Sequence, residues 1–503
     1  MSTEAQSASG SSRGSAVWLV GLALALTVIS WAAYRSVFEL PHLGWDTWPM
    51  IATARIESWS DFVGTFTEKL MDGRYPLGDF YRPVTNLSVA LDYALWGTEP
   101  AGYHATDFAI VVGSALLVAV LVARLFGSRI AAALAAFAFA LHPVHWESLP
   151  VTARRADTLS VFFVLAWLSA LPLKPADDEA SSRSWLREVG VLLLAFAAVG
   201  AKETGALIVG LAVVLLALAP GGASRKALVR STIVTLIAVG VFVAARTAVL
   251  GGLGGHGESS ISAGFQNGPG LIDEYGGLVL VPQPWFAQPA DNAKLALGVT
   301  VALVLALLIG LARKEDAKAR LLGIGFLLLW LAGLLVMTGM SGELRSWYSI
   351  PFLPIWCGLL GAAAAGAARA GRSAPLVAGA TGVLILGAVV VPLRFTGFAH
   401  DYAEWKQIGV ALDTFFVQAE ADLGRASGGQ VVQIPSPPAA LSAPMTQVGV
   451  RAASGIADYG VQAWADVRYS AGAVRVHDAR RGATRQNPNE ILLVLTPPRP
   501  MPR

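Results

Sequence analysis

The chain has 503 residues, of which 54% are hydrophobic and only 14% charged, with a formal net charge of +3. Soluble domains carry about 25% charged residues, so a soluble body of this length is excluded for want of polar surface. A nucleic-acid binder is excluded too, because the 37 Lys and Arg lie in small groups between apolar runs instead of forming one patch.

From the N-terminus, Ser2 to Gly14 is rich in Ser, Gly and Ala, which predicts a disordered tail over residues 1–15. The apolar run from Ala16 to Ile29 has the look of a signal peptide's central region. With many spans following, it is better read as a retained first helix. A membrane-crossing helix needs about 20 apolar residues. Eleven runs are read as spans: 16–37, 107–125, 129–145, 157–173, 187–201, 203–220, 231–250, 295–312, 321–340, 348–368 and 374–394. With the N-terminus inside, the inner loops hold Arg124 and Arg129, then Lys174, Arg183 and Arg187, then Arg225, Lys226 and Arg230. Further inner loops hold Arg313, Lys314, Lys318 and Arg320, then Arg369 and Arg372, whereas the outer stretch from Gly251 to Asn292 has no Lys or Arg. That asymmetry places the C-terminus outside.

Three outer pieces are large. The first loop (38–106) holds Trp45, Trp48, Trp59 and Trp96, and the second (251–294) is rich in Gly and Pro. The third is residues 395–503, where the composition becomes soluble. A helix is predicted near Tyr402–Gln418, with short strands in GQVVQIP, AVRVH and ILLVLTPP. The expected architecture is therefore an all-α polytopic membrane protein over 16–394 with a small C-terminal α/β domain. The lone Cys357 lies in an apolar run, so no intrachain disulfide forms.

Ionisable groups at the edge of hydrocarbon are expensive and mark function by default. Here they gather on the outer side. Asp46 lies in GWDTW, Tyr81 and Arg82 in FYRPVTNLS, and His104 in GYHATD. His142, His145 and Glu147 lie in LHPVHWE, followed by Arg154, Arg155 and Asp157 in TARRAD. AKETG places Lys202 and Glu203 at the surface, Arg246 lies about one turn inside a span end, and ELRSWYSIP supplies Glu343, Arg345 and Tyr348. Arg as a bidentate fork and Lys as a point charge suit a phosphate at headgroup depth. The expectation is an outward site for a lipid phosphate with one carboxylate available for chemistry.

Other readings stand beside this one. Asp46 can instead cap the helix opened by Thr47 and Trp48-Pro49. His142, His145 and Glu147 have the spacing of a metal pair, although Pro143 interrupts their face and the neighbouring arginines repel a divalent ion. A divalent metal therefore stays open but is not favoured, and no other cofactor is assigned. Lys202 and Glu203 can form a local pair, and Arg246 can snorkel without a ligand.

The ordered series WD…YRPVTNLSVALDYALWG…GYH…LHPVHWES…RRAD…KE…ELRSWYSIP resembles membrane O-mannosyltransferases of the glycosyltransferase C superfamily, and in particular the transmembrane and TPR-repeat-containing branch. The resemblance covers about residues 15–400. It implies a polyprenyl-phosphate-linked sugar donor, action on the outer face, and a catalytic acid in the first outer loop. Asp46 matches that acid, while Thr47 stands where a second acidic residue is common, and the tail lacks the TPR array.

The expected function is transfer of a sugar, mannose by resemblance, from the polyprenyl phosphate to a protein, lipid or glycan hydroxyl. Asp46 is the expected base. Arg82, Arg154, Arg155, Lys202, Arg246 and Arg345 are expected on the donor phosphate, and Tyr81, His104, His142, His145, Glu147, Glu203 and Tyr348 on sugar or acceptor. A lipid-linked glycan ligase or polymerase, a flippase, or a catalytically dead scaffold are the alternatives. The lack of charge at mid-depth in the spans disfavours transport. The Ala-, Gly-, Val- and Arg-rich composition leans towards a bacterial inner membrane, with a periplasmic tail.

Overall fold

The computed structural model describes residues 2–73, 78–172, 184–218, 223–252, 254–256, 262–267, 279, 331–340, 345–370, 398–435, 447–448, 451–452, 456, 458–469, 473–478 and 491–496. The expected spans 295–312 and 374–394, and most of 321–340, lie outside those residues. So do Glu343, among the outer polar residues, and most of the second outer loop.

Helix α1 runs Ser2–Tyr34. The N-terminal stretch predicted to be disordered is thus a backward extension of the first span, as expected when a nucleated helix propagates at little cost per residue. The first outer loop then folds into α2 (Thr47–Thr53), α3 (Trp59–Thr67) and α4 (Pro83–Trp96). Helix α5 (Pro100–Phe126) starts with Pro in its first turn and ends at Gly127, whose left-handed φ of 69° closes the helix. Ser128 then caps α6 (Arg129–Ala140), its side chain accepting from Ala131 N at 3.2 Å, so the α5–α6 turn takes only two residues.

The chain continues through a short turn of helix α7 (His145–Ser148), α8 (Arg155–Ala170), α9 (Ser184–Ala201), α10 (Ile208–Leu218) and α11 (Ala223–Leu250). Later come α12 (Leu353–Ala370), α13 (Phe398–Leu423) and α14 (Asp458–Tyr469). The bundle is built by α5 packing on α6 and α8, α8 on α9, α9 on α11, and α12 on α6. At the C-terminal end of α8, Arg124 donates to the carbonyls of Ser169 and of Leu171 (3.1 Å for the latter), satisfying acceptors left there.

Among the described residues, four helices are long and apolar enough to cross a membrane: Ser15–Glu39, Pro100–Phe126, Arg225–Leu250 and Trp347–Gly366. Their outer faces carry bare apolar side chains. Val17, Leu24 and Val28 on α1 are 72%, 63% and 63% exposed, and Ile233, Ile237 and Val241 on α11 are similarly open. A soluble surface does not carry such continuous apolar faces, whereas lipid tails cover them without penalty. The protein is an integral membrane protein.

The strand segments are few. β1 (Gly78–Asp79) pairs antiparallel with β2 (Gly255–His256). In the tail, β3 (Val431–Pro435), β6 (Val474–Asp478) and β7 (Ile491–Thr496) form a parallel sheet in the order β3-β7-β6, with Val431 opposite Leu492 and Val474 opposite Ile491. The short β4 (Gln447–Val448) and β5 (Arg451–Ala452) form a separate antiparallel pair. The three main strands fall in the three runs read from the sequence.

The tail is not detached from the membrane bundle. Trp405, Ile408 and Leu412 of α13 and Trp464 of α14 belong to the same apolar core as Tyr34, Trp48 and Trp146. Trp48 meets Phe416 edge-on at 5.9 Å, and Phe416 lies 4.7 Å from Trp464. Tyr402 donates to Glu39 Oε2 at 2.9 Å.

Gly44 fixes where the loop after α1 turns towards α2. Its φ is +94°, and a Cβ there would stand 2.3 Å from Val151 Cγ1. Gly44→Ala combines an unfavourable backbone with a collision into the 151–154 turn, for an expected loss of about 1–3 kcal/mol. Thermal unfolding of the detergent-solubilised variant checks this; an unchanged midpoint would contradict the close approach.

Candidate active site

Asp46 stands at the head of α2, where its backbone accepts the first helical bond from Met50 N at 3.0 Å. Its side chain makes no capping bond, so the capping reading does not hold. The carboxylate instead accepts a hydrogen bond at Oδ1 from the hydroxyl of Tyr459 on α14, at 2.6 Å. Thr47 is committed to the backbone, donating to Leu43 O at 2.5 Å and accepting from Ala153 N at 3.4 Å. That second contact ties the head of α2 to the turn carrying Arg154. His42 supports α2 from beneath, edge-on to Trp48 at 5.0 Å and Tyr103 at 4.9 Å. Burial pushes its imidazole down to about 3, so it adds no charge near Asp46.

The segment from Arg345 into the short 3-10 helix Ser346–Phe352 links the two halves of the site. The Arg345 guanidinium lies 5.8 Å from the Trp45 ring and 5.7 Å from the Trp347 ring. Trp347 also faces Arg154 at 3.7 Å, and Arg154 reaches Trp405 of the tail at 5.6 Å. Arg154 Nη1 donates to Glu147 Oε2 at 2.5 Å and to the Glu147 carbonyl at 2.7 Å. One residue further on, Tyr348 places its ring 4.3 Å from the Lys202 ammonium.

Beyond Tyr348 the charges interlock. Lys202 pairs with Asp157 at 2.5 Å. Glu203 receives Arg82 Nη2 at 2.9 Å and Arg246 Nη1 at 2.9 Å. Lys202 and Glu203 therefore do not pair with each other, contrary to the local-pair alternative. Burial disfavours the Arg82 charge, yet the Glu203 carboxylate outweighs it and holds the guanidinium above its ordinary value. The end of α9 is pinned to α4 by Thr85 Oγ1 donating to Ala201 O at 2.8 Å, which sets Lys202 and Glu203 beside Arg82.

Arg345, Arg154, Glu147, Tyr348, Lys202, Glu203, Arg82 and Arg246 thus follow one another in a run of ion pairs and ring contacts, and Asp46 lies next in sequence to Trp45, whose ring is 5.8 Å from Arg345. Other expected site residues face elsewhere. His104 has Nδ1 at 2.9 Å from Leu149 O and Nε2 at 3.1 Å from Leu40 O, which makes it a strut between two loops. His142 Nε2 lies 2.9 Å from Val279 O and its Nδ1 accepts from Val144 N at 3.2 Å. His145 Nε2 lies 2.9 Å from Phe139 O. Tyr81 donates to Phe66 O at 2.9 Å, with its ring against Phe242.

Arg155 is fully buried. Its Nε donates to Asp107 Oδ1 at 2.6 Å, its Nη2 pairs with Asp92 Oδ2 at 2.6 Å, and its Nη1 reaches Ser88 at 3.3 Å. All its donor groups are turned into the bundle, away from Arg154. Among the described residues no three His, Cys, Asp or Glu side chains cluster as a metal site.

The fold and this network define the class: a mostly helical integral membrane protein with a basic cluster and one acid at the head of its first-loop helix. No family model matches the chain. It is similar to the protein O-mannosyl-transferase TMTC3 of Mus musculus, 37% identical over 134 residues, which is 26% of this chain and 14% of that protein. With the protein O-mannosyl-transferase Tmtc1 of Drosophila melanogaster the identity is 33% over 125 residues, 25% of this chain and 14% of that one. The chain spans about a seventh of the length of these relatives. Among solved structures, the archaeal oligosaccharyltransferase AglB from Archaeoglobus fulgidus is similar with a TM-score of 0.46 and 16% identity, covering 76% of this chain and 56% of that one.

Proposed function

We propose that the protein is a membrane glycosyltransferase that moves a sugar, with mannose the first candidate, from a polyprenyl-phosphate donor to an acceptor hydroxyl. The relatives that carry similar sequence are protein O-mannosyl-transferases by name, which makes a protein hydroxyl the first acceptor to test. The observation that carries the reading is that Asp46, whose side chain does not cap its own helix, adjoins Trp45, whose ring lies 5.8 Å from Arg345, at the head of a run of cations that continues through Arg154, Lys202, Arg82 and Arg246. The orientation, with the N-terminus cytoplasmic and this cluster periplasmic, rests on the sorting of basic loops, the inner-membrane location rests on composition, and both belong to the same proposal.

In the proposed reaction the acceptor oxygen attacks the anomeric carbon while the bond from that carbon to the phosphate oxygen breaks. The acceptor proton goes to Asp46, and the bonding pair leaves with the lipid phosphate. A phosphate is a good leaving group without a general acid, so cations that meet its growing charge suffice. Arg345, held between two indole rings, and the Arg82–Arg246 pair are assigned that role. Attack opposite the phosphate inverts the anomeric centre. Arg155, His104, His142 and Tyr81 are left out of the donor site, because their polar groups are committed inside the protein, and His145 because its ring is fully buried with Nε2 on Phe139 O.

The test is transfer of labelled mannose from polyprenyl-phosphate mannose to Ser- and Thr-containing peptides by the purified protein in proteoliposomes. Product with an inverted linkage supports the proposal. No transfer from any polyprenyl-phosphate hexose, or movement of the lipid-linked sugar across the bilayer without transfer, overturns it. Arg345→Gln is expected to raise the donor KM by about tenfold to a hundredfold, the worth of a hydrogen bond to a charged group. An unchanged donor KM would remove Arg345 from the phosphate site.

A further inference from the structure

The tail reaches the proposed catalytic carboxylate through Tyr459. Tyr459 lies in the first turn of α14, a helix that packs directly on α2. Its hydroxyl donates to Asp46 Oδ1 at 2.6 Å, across 413 positions of sequence. The approach is close by construction. Gly460 follows Tyr459, and a Cβ there would stand 3.0 Å from the Trp45 carbonyl oxygen and 2.8 Å from Ile456 Cγ1. Only a bare glycine lets α14 lie this near the backbone beside Asp46.

The contact is held from both sides. Trp464, one turn and a half further along α14, stacks at 4.7 Å on Phe416 of α13, and Phe416 meets Trp48 of α2 at 5.9 Å. Gln462 ties α14 to the tail sheet, donating to Val474 O at 2.9 Å and accepting from Val476 N at 2.7 Å. A rigid chain of contacts therefore runs from the parallel sheet through α14 to the carboxylate.

From this geometry we infer that Tyr459 is a positioning residue for Asp46, through which the C-terminal unit sets the orientation and basicity of the proposed catalytic carboxylate. The inference rests on Asp46 being the base. Among the described residues, two charged groups lie near the head of α2 on neighbouring elements. Arg345 lies over the Trp45 ring at 5.8 Å, and Arg154 stands beyond Trp347 in the turn that bonds Thr47. His42 beneath α2 is neutral. Tyr459 acts within that field as a neutral donor: its hydrogen bond favours the ionised carboxylate and fixes which oxygen is turned to the tail. The other consequence is steric order. The acceptor hydroxyl must reach Asp46 alongside the tyrosine, so the first turn of α14 forms one wall of the acceptor's approach.

The experiment is the pH dependence of kcat/KM for Tyr459→Phe in the proteoliposome transfer assay, with Asp46→Asn and the double variant beside it. Removing a donor from an ionised carboxylate raises its pKa. The acid limb of the profile, below which the base is protonated, is expected to move to higher pH by about one unit, from the strength of a hydrogen bond to a charged group. At pH 7 kcat falls while donor KM is unchanged. In the Asp46→Asn background the same substitution is expected to have no further effect.

An acid limb that stays in place, or a Tyr459→Phe penalty that persists in the Asp46→Asn background, overturns the inference. Should Tyr459→Phe fail to fold, 3-fluorotyrosine at position 459 keeps the shape and strengthens the donor, and the limb must then move to lower pH. Near-normal activity of Asp46→Asn alone would instead sink the assignment of the base, a result distinguishable from failure of the tyrosine's role.

Discussion

Replacing Arg155 with alanine is expected to remove most of the folded protein. The side chain is wholly enclosed, with Asp92 and Asp107 on either side of its fork and the carbonyl of Tyr103 accepting from Nη2 at 3.1 Å. Three segments meet there: α4 through Ser88 and Asp92, α5 through Tyr103 and Asp107, and the start of α8. Truncation leaves two carboxylates inside the bundle without their counter-charge. Breaking a buried pair from one side costs about 3–5 kcal/mol, a large part of the 5–15 kcal/mol that holds a typical protein together. The measurement is yield and thermal midpoint in detergent. Neutralising the orphaned acids identifies the cause: Arg155→Ala with Asp92→Asn and Asp107→Asn is expected to be more stable than Arg155→Ala alone. A single variant as stable as the parent would show that the triad contributes nothing.

Arg155 also shows how far the sequence could be read. TARRAD marks two adjacent arginines at the membrane surface, and both suit a phosphate by residue type alone. Successive positions on a helical turn point about 100° apart, so one arginine faces the outer cluster and the other the bundle interior. Only the positions of Asp92 and Asp107 on α4 and α5 decide which, and no local pattern carries that information.

The same applies to AKETG, where neighbours of opposite charge invite a local pair but find partners 45 and 43 to 121 positions away. HPVHWE has metal-like spacing, yet each histidine is spent on a carbonyl oxygen. Features set by composition and period were legible. The lipid-facing helices and the short apolar strands of the tail follow from residue type along one segment. Trp405 and Tyr459 were not legible as site residues, because a soluble-looking tail gives no signal that it packs back on the first loop.

Asp46→Asn is expected to lower kcat by about a hundredfold to ten-thousandfold, the usual worth of a positioned general base, with donor KM little changed. The substitution is nearly isosteric, and an Asn side-chain oxygen still accepts from the Tyr459 hydroxyl, so the α2–α14 contact and the thermal midpoint should survive. A loss of kcat without a loss of stability or donor binding is the signature of a group that acts only as the transition state forms. The effect should be large because no second acid directly follows it in the sequence. Thr47 occupies the next position and both its hydrogen bonds are engaged with backbone at Leu43 and Ala153, so it has no proton-accepting capacity to lend. Asp46→Glu keeps the charge but moves it by one methylene, and is expected to recover part of the rate. Its deficit should be the greater at low pH, where a carboxylate pulled out of register with Tyr459 loses the hydrogen bond that favours its ionised form. Transfer by Asp46→Asn at near the parent rate would mean that the acceptor proton leaves by another route, and the network of cations would then have to be read as a lipid-phosphate site without a base.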